Sequence, residues 1–196
     1  MNPEHAHLPS AGVLRQQAGV GTSRMPAAAM LLGLALSVGG CAHAPAEVAA
    51  APEPAVTLRE PLPGLYTAGQ PEATDWQAIR AKGVRTVVNL RMPGELQGRD
   101  EAAEVRAAGM RYVQIPVAGA DGITPDNARA LHAVLAPAHG GGVLVHCASG
   151  NRAGALLGLE QAEFDGVSKD DALVLGRKAG MTSTEAKFRQ VLGAGD

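Results

Sequence analysis

A thiol, a glycine and a guanidinium share one short stretch, His146-Cys147-Ala148-Ser149-Gly150-Asn151-Arg152-Ala153-Gly154. The run before it, Gly142-Val143-Leu144-Val145, is apolar and β-branched, and reads as a buried strand ending at His146. Ala155, Leu156, Leu157 and Leu159 after it supply the apolar face of a helix. Cys147 therefore falls between a strand end and a helix N-terminus. Backbone N–H groups there lack helical partners, and with the positive end of the helix dipole they attract anions and favour a thiolate over a thiol. Cys147 is a nucleophile candidate on these grounds. The fork of Arg152 can hold two oxygens of a tetrahedral oxyanion while its charge favours an ionised sulfur. Gly150 allows a turn that brings the amides of Ala148, Ser149, Gly150, Asn151 and Arg152 toward an anion. Ser149 and Asn151 read equally as loop hydrogen-bonding groups and as plain turn residues.

The stretch resembles the loop of the cysteine-dependent phosphatases, in which His-Cys is followed by five residues and then Arg. Two departures stand out: four residues separate Cys147 from Arg152, and Ala153 replaces the usual Ser or Thr. The sequence is more similar to the beta-lactamase-hydrolase-like phosphatase domain, a bacterial branch of the protein tyrosine and dual-specificity phosphatase-like superfamily. That resemblance runs from Leu58 to Glu163. It rests on Ala68-Gly69-Gln70-Pro71, Val87-Val88-Asn89-Leu90-Arg91, Gly109-Met110-Arg111-Tyr112-Val113-Gln114-Ile115-Pro116 and the shortened cysteine loop. It implies a phosphomonoester hydrolase with a cysteinyl-phosphate intermediate. Cys147 attacks phosphorus, loop amides and Arg152 hold the nonbridging oxygens, and His146 orients the loop without taking the proton. The other reading of His146 is a strand-end imidazole satisfied by backbone. Without a hydroxyl after Arg152, either the second step is slow or another group helps the sulfur leave.

Ester hydrolysis also needs a proton donor for the leaving oxygen, an effect of about 10² to 10⁴ in rate. Asp121 is the first candidate, since it lies after Ile115-Pro116 where related phosphatases carry an aspartate loop; Asp121-Gly122 is also a common turn pair. Glu95 is another candidate, and Asp126 reads as a first-turn helix carboxylate. Arg91 either adds positive charge to the cleft or pairs with Glu95. The shorter spacing leaves two further classes open. One is a rhodanese-like sulfurtransferase carrying a persulfide on Cys147, because a tighter ring suits a single sulfur atom; the other is a noncatalytic phosphate-binding module of the envelope. The phosphatase mechanism requires no metal or organic cofactor. His132 and His139 show no cluster of metal ligands around them in the sequence, and no Gly-rich nucleotide loop with a lysine is present.

Strands alternating with helices must position this loop, which predicts an α/β domain with a mostly parallel central sheet flanked by helices. A first strand is expected over Leu62 to Thr67, interrupted by Pro63-Gly64, and then a helix with Thr74 and Gln77 as a capping box, Trp76 and Ile79 on its core face, and Gly83 closing it. Val84 to Leu90 reads as a strand, Asp100 to Ala108 as a helix, Met110 to Val117 as a strand, and a helix capped by Thr124 runs to Ala136. After the loop helix, Ser168 to Ala179 and Ser183 to Leu192 read as helices covering the sheet, the second capped by Ser183 or Thr182. Cys147 then sits beyond the carboxyl end of a central strand, where open α/β sheets bind ligands.

The whole chain has 196 residues and a formal charge of -2, enough for one modest domain and with no bias toward nucleic acid. Aromatic content is 3%, so Val, Leu, Ile and Ala must build the core. Residues 1–40 read as an export signal, with an apolar run from Met25 to Val38 too short for a comfortable membrane span. Val38-Gly39-Gly40-Cys41 resembles a bacterial lipobox, which implies a lipid on Cys41 and a membrane anchor on the periplasmic side, in the outer membrane. The alternatives are an ordinary secretory signal, giving a soluble periplasmic or secreted protein, or a core cysteine; Met25 is a second possible start. Residues 41–57 form an Ala/Pro-rich tether and 58–196 the catalytic domain. With Cys41 lipidated, Cys147 has no disulfide partner in the chain and stays a free, oxidisable thiol.

Overall fold

The computed structural model describes residues 52–136 and 141–193. The export segment, Cys41, His139 and the tether before residue 52 lie outside them. Strands β1 (Arg59–Leu62) and β2 (Leu65–Ala68) come first. They are followed by α1 (Trp76–Ala81), β3 (Val84–Asn89), α2 (Glu101–Ala107), β4 (Arg111–Gln114), α3 (Pro125–Leu135) and β5 (Gly142–His146). Helices α4 (Asn151–Phe164), α5 (Lys169–Lys178) and α6 (Glu185–Leu192) complete the order. The sheet runs β1-β2-β5-β3-β4, antiparallel between β1 and β2 and parallel elsewhere. This is the α/β architecture that the sequence predicts, with β5 in the middle.

Parallel strands need cover on both faces, and the side-chain alternation supplies it. Along β5, Val143 and Val145 pack into one apolar cluster with α3, α4, α5 and α6, whereas Leu144 points into another with Trp76 and Ile79 of α1 and Val105 of α2. Val88 and Val87 of β3 divide in the same way. The residue after β5 therefore emerges from a strand held on both sides and both faces.

Three local expectations are corrected. The first strand is a hairpin, because Pro63 and Gly64 occupy its turn and Leu62 pairs with Leu65. The capping box of α1 does not form: Asp75 is the N-cap, and its carboxylate is engaged elsewhere, accepting from the amides of Ala55 at 2.6 Å and Glu72 at 2.9 Å. Helix α6 begins at Glu185 and takes no side-chain cap from Ser183 or Thr182, since the preceding turn bonds to Asn151. The expected cap of α3 does form, through Thr124, while Asp100, expected as the first residue of α2, serves as its N-cap.

Helix α4 approaches α5 closely because its first turns carry glycine. A Cβ placed at Gly154 meets Met181 N at 2.4 Å and Gly176 O at 2.7 Å, both backbone atoms. Gly154→Ala is therefore expected to destabilise the fold by about 1–3 kcal/mol. Urea unfolding is expected to show a lower midpoint at unchanged slope; an unaltered midpoint would contradict this packing.

Candidate active site

The loop begins where β5 ends. Leu90 N donates to His146 O at 2.9 Å, and Cys147 N donates to Ala68 O at 3.4 Å, so both neighbouring strands fix the departure point of the chain. Cys147 is only 1% exposed, yet its sulfur is met by a polar group: the Gly150 amide donates to Sγ at 3.1 Å. That amide turns inward because Gly150, the N-cap of α4, has φ +88°, a left-handed conformation that an L side chain strains to adopt. Gly154 N returns to Gly150 O at 2.9 Å as the first bond of the helix, so the amides of Asn151, Arg152 and Ala153 lie in the turn that has no helical acceptor.

Arg152, in the first turn of α4, is gripped from outside the loop. Its Nη1 donates to Glu95 Oε1 at 2.8 Å and to Val117 O at 2.8 Å, and its Nη2 donates to Glu95 Oε2 at 2.7 Å. These bonds hold the Glu95 carboxyl down to about 2 against the opposing effect of burial, with the Met92 amide and the charges of Arg152 and Arg91 assisting. The same bonds raise Arg152 above its ordinary value, burial opposes this, and the nearby Cys147 sulfur adds to the rise.

His146 is fully buried and packs edge-on against Trp76. Its Nε2 lies 2.9 Å from Glu101 Oε1, so a carboxylate and not backbone serves as its partner. Burial pushes the Glu101 carboxyl up, but hydrogen bonds from His146 and Gln70 and the charge of Arg99 outweigh it, leaving it below the usual range. Gln70 Nε2 donates to the other Glu101 oxygen at 2.7 Å, and Arg91 Nη1 donates to Gln70 Oε1 at 2.6 Å. Arg91 also donates to Glu95 O and pairs with its carboxylate at 3.5 Å, so it does pair with Glu95 while lying beside the site. Glu101 was not singled out from sequence, where it falls within the helix expected over Asp100 to Ala108.

A cleft of about 330 Å³ opens beside Arg152, walled by Glu95, Ser149, Asn151, Ser183 and Thr184 and floored on one side by Gly119 and Ala120. Asn151 reaches the expected loop, but its side chain turns to the chain before α6. Its Oδ1 accepts from Thr182 N at 2.7 Å and Thr184 Oγ1 at 2.8 Å, and its Nδ2 donates to Ser183 Oγ at 2.5 Å. The last helices therefore do more than cover the sheet, since the turn between them builds a wall of the cleft. Asp121 is exposed in the turn that contributes Gly119 and Ala120, whereas Asp126 pairs with Arg129 on α3. Ala148 is exposed, and its carbonyl accepts from Gln70 N at 3.1 Å.

The expectation that His132 stands apart from ligating side chains is overturned. Its Nδ1 lies 2.8 Å from Glu160 Oε1, and Asp165 completes a group whose ligand atoms all fall within 4.8 Å. The fold brings α3 against α4 there, which separations in sequence conceal. Burial raises the Glu160 carboxyl, and the cluster sits near the C-terminus of α4, the end opposite the cysteine loop.

Residues 57–164 match the family described as beta-lactamase hydrolase-like protein, phosphatase-like domain. The beta-lactamase hydrolase-like proteins of Xylella fastidiosa (strain Temecula1) and Agrobacterium fabrum (strain C58) are each 35% identical over 120 residues, 59% of this chain and 27% of theirs. The chain thus spans little more than a quarter of the length of these curated relatives. A DUF442 protein from Shewanella putrefaciens CN-32 is similar in structure with a TM-score of 0.54 at 27% identity, over 69% of this chain and 85% of its own. TpbA of P. aeruginosa, solved in complex with phosphotyrosine, gives 0.58 at 23% identity over 74% and 88%. Kinase associated phosphatase gives 0.55 at 17% over 74% and 99%. At the identities of these last two the likeness is one of fold.

The Glu95 carboxyl is depressed from 4.5 to about 2 on folding. Its stabilising contribution is therefore fully present above about pH 5 and is lost as pH falls toward 2. Urea midpoints measured from pH 6 to pH 2 are expected to fall less steeply for Glu95→Gln than for the native protein; parallel curves would remove Glu95 as an acid-labile support of Arg152.

Proposed function

The chain belongs to the family of beta-lactamase hydrolase-like, phosphatase-like domains, and from that premise we propose that it hydrolyses phosphate monoesters through a cysteinyl-phosphate on Cys147. One observation carries this reading: a single sulfur at the carboxyl end of the central strand receives the Gly150 amide at 3.1 Å, with Arg152 in the first turn of the helix that follows. A sulfur lone pair attacks phosphorus as the ester P–O bond breaks, and the leaving oxygen takes a proton from a carboxylic acid. Water then attacks phosphorus, gives its proton to the same carboxylate, and the P–S bond breaks to return the thiolate and release inorganic phosphate. Loop amides and Arg152 hold the nonbridging oxygens, where charge develops.

Asp121 is the acid in this mechanism. Glu95 is committed to Arg152 and held ionised, and Asp126 is paired on the exposed face of α3, so neither suits proton donation. Asp121 follows Gly119 and Ala120, which line the cleft, in the same turn. The Gly150 amide supplies the donor to the departing sulfur that Ala153 does not. Lipidation of Cys41 and placement on the periplasmic side of the envelope belong to the same proposal, supported by the layout of Met25 to Cys41. The mass of the mature N-terminus tests this separately.

A second reading, sulfurtransfer, is favoured by one feature alone, the four-residue interval between Cys147 and Arg152. Assays of the native protein and Cys147→Ser separate the two. Vanadate-sensitive release of phosphate from p-nitrophenyl phosphate by the native protein only is expected; Cys147-dependent sulfur transfer from thiosulfate to cyanide without phosphate release would replace the phosphatase reading. Asp121→Asn is expected to lower kcat about 10²- to 10⁴-fold on alkyl phosphates and much less on p-nitrophenyl phosphate, whose leaving group needs little protonation. Equal losses on both would assign the proton to another group.

A further inference from the structure

We infer that the cleft beside Arg152 takes the phosphate monoester of a polyhydroxy alcohol, a sugar or cyclitol phosphate, in preference to that of a phenol. The inference rests on the phosphatase reading and specifies its substrate. An aryl group is held by apolar and aromatic surface, whereas hydroxyls are held by fixed polar groups. The walls of this cleft are Ser149, Ser183, Thr184, Asn151 and Glu95, and among the described residues its only apolar side chain is the methyl of Ala120.

The aromatic side chains of the chain are all engaged elsewhere. There are one Trp, two Tyr and two Phe. Trp76 and Phe188 are buried in the two halves of the core, and Phe164 stacks on His132. Tyr66 donates to Lys82 O, and Tyr112 accepts from Asn89. None lines the cleft, so the chain has no ring with which to stack a phenyl phosphate there.

The polar groups are also pre-set for hydroxyls. Ser183 Oγ accepts from Asn151 Nδ2, which leaves its own hydrogen free to donate into the cleft. Thr184 Oγ1 donates to Asn151 Oδ1, which leaves its lone pairs free to accept. Asn151 thereby fixes one donor and one acceptor side by side. Glu95 Oε1 accepts from Met92 N and Arg152 Nη1 and its Oε2 from Arg152 Nη2, which leaves a lone pair on Oε2 for a substrate hydroxyl, while the carboxylate repels a second anionic group. A polyol satisfies these groups, whereas a ring without hydroxyls leaves them to water.

The test uses the full chain with myo-inositol 1-phosphate, cyclohexyl phosphate and p-nitrophenyl phosphate, each assayed with native protein and Cys147→Ser. The inositol and cyclohexyl esters share ring size and a secondary alkoxide leaving group, so their ratio reports the hydroxyls. We expect kcat/KM about tenfold higher for the inositol ester, chiefly through KM, in line with one or two added net hydrogen bonds. Ser183→Ala is expected to reduce that ratio several-fold. Equal values for the two esters, or a ratio untouched by Ser183→Ala, would overturn the inference. If p-nitrophenyl phosphate is still cleaved in a Cys147-dependent manner, the phosphatase reading survives that loss. Failure to release phosphate from any of the three would remove both.

Discussion

The cysteine loop depends on a chain of polar contacts that ties its two ends together from behind. His146 stands immediately before Cys147 and Arg152 closes the loop. Between them run Glu101, Gln70, Arg91 and Glu95, each joined to the next by a hydrogen bond or ion pair. The Gln70 carboxamide joins the Glu101 carboxylate to the Arg91 guanidinium. A buried charge is tolerated only when paired and hydrogen-bonded, and the buried Glu101 carboxylate has a donor for each of its oxygens. Removing one member would strand its neighbours, so the positions of the sulfur and the guanidinium are coupled through side chains as well as through the loop backbone.

This arrangement also explains the upstream segments that accompany the cysteine loop. Ala68-Gly69-Gln70 supplies the carbonyl that receives Cys147 N, the amide that binds Ala148 O and the carboxamide that links Glu101 to Arg91. Asn89-Leu90-Arg91 supplies the amide that donates to His146 O and the guanidinium that continues the path. Both segments leave the carboxyl ends of strands flanking β5, so a parallel sheet delivers them to one place. They act as supports for the loop, and precision at the reacting atoms comes from such supports on rigid elements.

The sheet, its helices and the position of Cys147 at a strand end were legible because hydrophobic period and glycine punctuation are local signals. Cys147, Gly150 and Arg152 could be found for the same reason, since one turn of backbone relates them. Glu101 could not. It sits in the first turn of an amphipathic helix 45 residues before His146, where a glutamate ordinarily serves the helix dipole in water. Only the packing of α2 across the end of the sheet converts it into a buried partner. The partners of the Asn151 side chain were hidden for the same reason, since it bonds a segment more than 30 positions away. The failed capping box of α1 is of the same kind, since the Asp75 carboxylate bonds the incoming chain at Ala55 and Glu72, ahead of the helix.

Charge balance then sets what the loop backbone must contribute. Arg152 and Arg91 both lean on Glu95, which stays ionised far below neutral pH, so these side chains together offer about one net positive charge. In the proposed reaction, a thiolate at Cys147 would cancel that charge before a phosphate dianion arrives. Attraction for the dianion must therefore come mainly from oriented amides and the N-terminus of α4, whose partial charges cannot be titrated away. With only four residues between Cys147 and Arg152, the ring has fewer amides than the five-residue loop it resembles, and each one carries a larger share. The inward turn of the Gly150 amide, held by a backbone conformation that other residues resist, is accordingly as necessary to this site as the sulfur it faces.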